Sequence, residues 1–334
     1  MRDERPERVE IIDILKGIGI MLIVLGHLEP ETYLMRFIYS FHLFLFFASS
    51  GFIGKRYENR SFSQVLSGNL KRLLIPYIIW CTLSQIIDCV CGTITVNQAI
   101  RNVLFFDANV GWNAALWFLV SLFWSDTLCA LIIKLNKWGQ LVVIVIFIGW
   151  GIIARYSIAL PLGLYTVPTA GVFWIIGYWM NIFGLIDRFK DLKTPILTSL
   201  GGCFLLINIC CGTVFNSVIS IYHIKYENIG LTIVAGIAGI LFVVVISSFI
   251  IQGNMLSMIL IKYGKGTLAI LCTHYFILRL IGMISISVTG IDLWRSTSTI
   301  KSIGLTVVII AVYYPVLCGI KLMKEKHPKL KYIL

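Results

Sequence analysis

The chain has 334 residues, a mean hydropathy of +0.89, 58% hydrophobic residues and only 13% charged ones, far more apolar than a soluble domain of that length tolerates. This excludes a soluble enzyme and predicts an all-α, polytopic membrane helix bundle, because apolar runs near 20 residues recur along the whole length and each can cross a hydrocarbon core of roughly 30 Å. The net charge of +12 would suggest nucleic acid in a soluble protein; here topology explains it, and no nucleic-acid partner is expected.

The N-terminal MRDERPERVE mixes acids with bases and leads into a helix carrying Asp13 and Lys16. It has neither a clean apolar core nor a small-residue cleavage site, so a removable signal peptide is not expected. Ten spans are predicted, at 11–28, 33–54, 73–94, 114–135, 139–156, 165–185, 195–215, 229–251, 267–288 and 302–323. The N-terminus, the even-numbered connections and the tail hold 20 Lys and Arg residues, and the opposite side holds only Arg101, Arg155, Lys225, Arg295 and Lys301. Cytoplasmic loops carry the excess of cations, so about ten spans with both termini in the cytosol follow. No soluble domain fits between the spans, and residues 1–334 read as one integral membrane domain.

The first span holds the main anomaly. DILKGIGIMLIVLGH places Asp13, Lys16 and His27 where a lipid-spanning helix should have no titratable group, and a charge near the bilayer centre costs roughly 3 kcal/mol on the lowest scales. Eleven residues separate Lys16 from His27, which brings them within about 20° of one face and about 16 Å apart along the axis. Lys16 then lies towards the cytosol and His27 near the outer end. Asp13, three residues before Lys16, can pair with it. The alternative is an edge position with Lys16 snorkelling to the headgroups, and His27 alone also reads as an interfacial histidine.

The second span places His42 near mid-membrane in FIYSFHLFLFFASSGF, with Tyr39 and Ser49 close to its face as a possible hydrogen-bonded stripe. Arg36 begins this span, where it could serve an anionic group or anchor the helix. The connection KRYENRSFSQVLSGNLKRLLIPY carries five cations. These are either topogenic charge or, at Lys71 and Arg72 before Pro76, a site for an anionic cytosolic ligand such as a nucleotide or phosphate. The connections 95–113 and 216–228, on the outer side, contain polar and aromatic residues that suit either a cleft wall or a solvated loop. The small pair Ala235 and Gly239 fits close helix packing. In the ninth span His274 sits near mid-depth with Arg279 further out. Three intramembrane histidines are more than packing needs, and their convergence would make a polar cavity through the bundle.

The nine cysteines mostly fall in apolar runs, including Cys81, Cys129, Cys203, Cys210, Cys211, Cys272 and Cys318, and read as small packing residues. Cys89 and Cys91 lack a second pair at zinc spacing, so no metal is expected. GxGxxG, GxSxG and HExxH are all absent from the sequence.

The opening IDILKGIGIMLIVLGH resembles the first-helix signature of the membrane-bound acyltransferase family 3, a basic residue and a histidine with ten residues between them. YSFHLFLFFASSGF, LKRLLIPY, ALWFLVSLF, AGVFWIIGY and YGKGTLAILCTHY are similar to its later landmarks, in order, over roughly residues 8 to 280. Lys16 stands where many members have Arg, and Phe44 where many have proline. The resemblance implies transfer of an acetyl or other acyl group from cytosolic acetyl-CoA to a hydroxyl of a cell-surface sugar or polysaccharide, in a bacterial plasma membrane. It also implies His27 as the catalytic histidine with Lys16 as its basic partner. Asp13, His42, Ser50 and His274 are then secondary site candidates, and Lys71 and Arg72 candidates for binding the donor. The periplasmic esterase-like domain of some members is not expected. A hydroxyl needs a base within hydrogen-bond reach, and neutral histidine supplies one near neutral pH. His27 would deprotonate the acceptor or carry the acyl group transiently, and Lys16 would bind the donor or stabilise charge. A transporter or flippase using the same buried charges as a path is the competing reading.

Overall fold

A computed structural model describes residues 7–105, 110–154, 163–250, 253–294 and 298–326. Of the cations counted for topology, Arg2, Arg5, Arg155, Arg295, Lys329 and Lys331 lie outside the described residues, as do the side chains of Arg8 and Lys324.

Every long apolar stretch has become helix, which is how a backbone satisfies its own polar groups in lipid. Helix α1 (Glu7–Gly26) is followed by α2 (Thr32–Tyr39) and α3 (His42–Phe52). Then come α4 (Phe62–Asn69), α5 (Ile75–Val90), α6 (Val96–Phe105), α7 (Trp117–Ile132) and α8 (Lys137–Ala154). The second half holds α9 (Val167–Ile182), α10 (Leu185–Lys190), α11 (Thr194–Asn208), α12 (Ile229–Ile250), α13 (Met255–Lys265), α14 (Thr267–Thr289) and α15 (Thr299–Lys326). Among the described residues no strand forms; one isolated antiparallel bridge joins Ser220 to Lys225.

Within the described residues each of the ten expected stretches falls mainly on helix, but seven runs there are long and apolar enough to cross a membrane by length and composition. They are Thr32–Tyr57, Phe62–Val90, Ala114–Ile132, Thr194–Val214, Ile229–Ile250, Thr267–Thr289 and Thr299–Met323. The other three expected spans fall on α1, which carries acids and bases, and on the shorter α8 and α9.

Burial separates the bundle into a centre and a rim. Helices α3 and α9 are buried along most of their length and pack on each other, α1 packs on α13 and α3, and α12 lies against α11. Exposed Ile, Leu and Val side chains stud α5, α8 and α15, as expected where the solvent is lipid. Cys81, Cys129 and Cys272 are buried, but Cys203 and Cys210 are exposed, so the packing role expected of all the cysteines holds for only some. The expected close packing at Ala235 and Gly239 is present: Ala235 is fully buried and the Phe41 ring lies against Gly239.

Two local departures from α-helix position the site. The second span is broken at Ser40–Phe41, where Phe41 takes φ −150 and ψ −20. Ser40 Oγ donates to the Phe37 carbonyl at 2.7 Å, and Asn208 Nδ2 donates to Ser40 Oγ at 2.8 Å, so the break is held from α11. The second departure is a π-turn at Leu70–Leu74. Pro76 has no N–H to give to the carbonyl four residues earlier, and a wider turn there keeps the chain helical through Arg72.

Candidate functional site

The three histidines converge. His27 follows the last turn of α1, and its ring centroid lies 5.3 Å from that of His274 on α14, stacked at 29°. Tyr275, the next residue on α14, places its hydroxyl oxygen 3.2 Å from His27 Nδ1 and its ring 4.7 Å away. His27 and His42 both line a cavity of about 240 Å³, together with Glu29, Tyr39 and Tyr275. The backbone around His27 is also held: Trp294 Nε1 donates to the His27 carbonyl at 2.9 Å and Ser302 Oγ to the Leu28 carbonyl at 3.2 Å. These bonds satisfy carbonyls that a helix end leaves without partners.

Tautomers follow from the same bonds. A carbonyl only accepts, so His42 donates Nδ1–H to Ile38 at 2.7 Å and His274 donates Nδ1–H to Ile270 at 2.9 Å. Each ring therefore keeps a lone pair on Nε2. His274 Nε2 is buried and has no hydrogen-bond partner. If His27 donates Nδ1–H to the Tyr275 oxygen, its Nε2 also becomes a base. Although imidazoles gather here, no group of three or more His, Cys, Asp or Glu among the described residues is arranged to hold a metal.

A second cavity, of about 180 Å³, adjoins the first. Lys16, Ser49, Ser50 and Arg72 line it, and Ile23, Phe118 and Leu271 line both cavities. Lys16 Nζ lies 2.9 Å from Asp13 Oδ1, the pair expected from their spacing. Ser49 Oγ is buried without a partner. The hydrogen-bonded stripe expected from Tyr39 through His42 to Ser49 does not form, because the break at Ser40–Phe41 gives Tyr39 and His42 different helices. Instead the Tyr39 ring packs edge-on against His42, and Ser49 faces the other cavity.

Lys71 and Arg72 part company. Lys71 is exposed, and Arg72 forms an ion pair through Nη2 with Asp126 on α7. Asp126 is fully buried and also accepts from Ser50 Oγ at 2.5 Å and Trp174 Nε1 at 2.6 Å. One carboxylate thus ties α3, α7, α9 and the π-turn together beside the Lys16 cavity. Asp126 escaped the sequence reading, although an acid inside WFLVSLFWSDTLCALI carries the signal applied to Asp13. Arg36 reaches the Thr213 carbonyl at 3.4 Å, and Arg279 lies over the Trp112 and Trp294 rings, 5.2 and 5.7 Å from their centroids. Of the two long connections, 95–113 contains the amphipathic α6, and 216–228 supplies Ile219, Ser220, Tyr222 and His223 to the His27 cavity wall.

Fold and cavities define a multi-pass, all-helical membrane protein with an imidazole cluster inside the bundle. A family model described as an acyltransferase domain, that of acyltransferase family 3, matches residues 9–318, and the chain belongs to that family. Membership in that family favours acyl transfer over the transporter reading. Two similar proteins are nodulation proteins NolL. That of Mesorhizobium japonicum is 25% identical over 205 residues, covering 56% of this chain and 52% of that one. That of Sinorhizobium fredii is 30% identical over 139 residues, 38% of each chain. The matched region thus spans about half the length of one relative and less of the other. No solved structure matches the chain.

Proposed function

We propose that the protein moves an acetyl or other short acyl group from acetyl-CoA, or the corresponding acyl-CoA, on the cytosolic side of a cell membrane to a hydroxyl of a surface sugar or polysaccharide. The observation that carries this reading is the pair of cavities meeting at Ile23, Phe118 and Leu271, with cations along one and His27 in the other. The excess of Lys and Arg expected on the cytosolic side supports a cytosol-facing Lys16 cavity, on the side where coenzyme A thioesters are made. An anionic donor suits that cavity, which offers the Lys16 ammonium, the Arg72 guanidinium and the unpartnered Ser49 hydroxyl. Lys71, exposed nearby in sequence, would meet donor phosphates at the rim.

In the transfer, the acceptor oxygen attacks the thioester carbonyl carbon and gives up its proton to His27 Nε2. The acyl carbon–sulfur bond breaks as the carbon–oxygen bond forms, and the proton passes from His27 to the departing thiolate. Tyr275 holds the His27 tautomer by accepting Nδ1–H, and His274 fixes the ring from its other side. Asp13 pairs with Lys16 at 2.9 Å and orients it. The bundle centre excludes bulk water, which keeps the thioester from hydrolysis.

Purified protein incubated with radiolabelled acetyl-CoA and cell-surface glycans tests this. Label should move to glycan, and His27→Ala should lower transfer by about 10²–10⁴-fold, the usual worth of a positioned acid–base group. Full transfer by a folded His27→Ala protein would refute the assignment.

A further inference from the structure

The His27 cavity has a wall that its catalytic groups do not explain. Residues 219–226 form a tight turn closed by two backbone bonds, Ser220 N–H to the Lys225 carbonyl at 3.0 Å and Lys225 N–H to the Ser220 carbonyl at 2.8 Å. Ile219, Ile221 and Tyr226 anchor it in the core, 2%, 1% and 6% exposed. The Tyr226 hydroxyl shares a 2.9 Å bond with Thr169 on α9, and burial pushes this phenol up to about 12, so it stays neutral. From this anchored base the tip presents Tyr222 and His223 to the cavity. The Tyr222 ring sits 5.3 Å from Trp117 and 4.6 Å from the His223 ring.

Backbone strain marks the same place. Among the described residues only Glu29 and Ile224 are non-glycine residues with positive φ, at 50° and 47°. Glu29 lines the cavity, and Ile224 closes the turn that carries Tyr222 and His223. A β-branched residue in the left-handed region is costly, and such strain persists only where surrounding contacts impose it. One strained residue lines the cavity and the other lies next to His223 in the turn that lines it, so the strain holds side chains at the site where a ligand would meet them.

The composition of the wall specifies the ligand. Trp117 and Tyr222 offer flat apolar faces, and Glu29, Tyr39, Ser220 and His223 offer polar groups around them. A pyranose ring has the matching chemistry, with C–H faces that lie on aromatic rings and equatorial hydroxyls that need partners at the edge. The cavity of about 240 Å³ is smaller than the roughly 300–1,000 Å³ of sites for drug-sized ligands. It has room for one ring, not for a run of them.

We propose that the 219–226 turn is the acceptor-reading element, that Trp117 and Tyr222 form the platform for a single pyranose ring, and that Glu29 and His223 select its hydroxyl pattern. The use made of the bound ring rests on the acyl-transfer reading above; its binding does not. The probes are methyl pyranosides of differing hydroxyl configuration, with the open-chain polyol sorbitol for comparison, presented to full-length protein in lipid nanodiscs. Saturation-transfer NMR should show ring C–H protons of at least one pyranoside against the protein and none of sorbitol. Tyr222→Ala should weaken that binding about tenfold, while Tyr222→Phe, which keeps the platform, should stay within about threefold. Equal binding of sorbitol, no pyranoside bound by the wild type, or unchanged affinity in a folded Tyr222→Ala, His223→Ala double variant would each overturn the proposal. Labelled acetyl-CoA consumption in the same samples separates the two readings. Tyr222-dependent pyranoside binding without thioester consumption supports the platform and sinks the transfer; transfer with Tyr222-independent binding does the reverse.

Discussion

Asp126 shows how much one buried side chain can carry. Its carboxylate, fully buried, accepts from Ser50, Trp174 and Arg72, and Arg72 also contacts Tyr57 and Asn69 at 3.4 and 3.3 Å. Removing one partner of a buried pair leaves the other uncompensated, commonly at a cost of about 3–5 kcal/mol. Here the loss belongs nearer about 2–3 kcal/mol, because the Arg72 side chain is 40% exposed and can turn to water. Asp126→Ala should therefore lower the thermal transition in detergent markedly and weaken acetyl-CoA binding, since Arg72 loses the group that aims it. Restoring stability by pairing Asp126→Ala with Arg72→Met, while donor binding stays weak, would separate the ion pair's structural part from its ligand part. Equal melting of Asp126→Ala and wild type would show that the node bears no load.

Helix packing around that node depends on glycines in reciprocal contact. A Cβ at Gly51 on α3 would run into the Trp174 carbonyl on α9, and one at Gly177 on α9 into the Ala48 carbonyl on α3. The same exchange joins α1 to α13, where Gly17 abuts the Leu260 carbonyl and Gly264 the Asp13 carbonyl. Neither backbone can yield without moving its helix, so Gly177→Ala should cost about 1–3 kcal/mol in thermal unfolding. Gly202→Ala on α11 meets nothing within 4 Å and should gain up to about 1 kcal/mol from helix propensity. If the two variants melt alike, close backbone approach is not what sets the spacing. Apolar runs make α1, α3 and α9 legible in the sequence as parts of expected spans, but not the short α13 between two of those spans, and the charge rule makes Asp13, Lys16 and the three histidines legible as one interior set. The break at Ser40–Phe41 is not, because Asn208 holds it from 168 residues away. The 219–226 turn is not either, because its positive φ falls on an isoleucine where a reader expects glycine or asparagine. Asp126 was readable all along by the rule that picked out Asp13.

At the scale of the whole molecule, the two cavities stand on either side of a shared wall. Ile23 on α1, Phe118 on α7 and Leu271 on α14 come from three separate helices, are 2%, 4% and 5% exposed, and line both sides of that wall. Phe118 is held in place by neighbouring rings, with centroids of Phe46 at 5.7 Å and Phe47 at 5.2 Å. In the proposed transfer such a septum would keep water and protons from crossing between turnovers, and the thioester arm would have to pass it for the acyl carbon to meet an acceptor beside His27. On that reading the barrier would admit a narrow amide-bearing chain while refusing bulk water. Phe118→Leu removes the ring edge and keeps an apolar surface, so it should widen the passage without making it polar. The expected result is a rise of about tenfold in acetyl-CoA hydrolysis relative to transfer, about 1.4 kcal/mol of lost discrimination between water and acceptor. Leu271→Trp should act the other way, holding acetyl-CoA at the Lys16 cavity while transfer falls. Should hydrolysis and transfer change in step in both variants, the septum is a packing layer and the acyl group reaches His27 by another path.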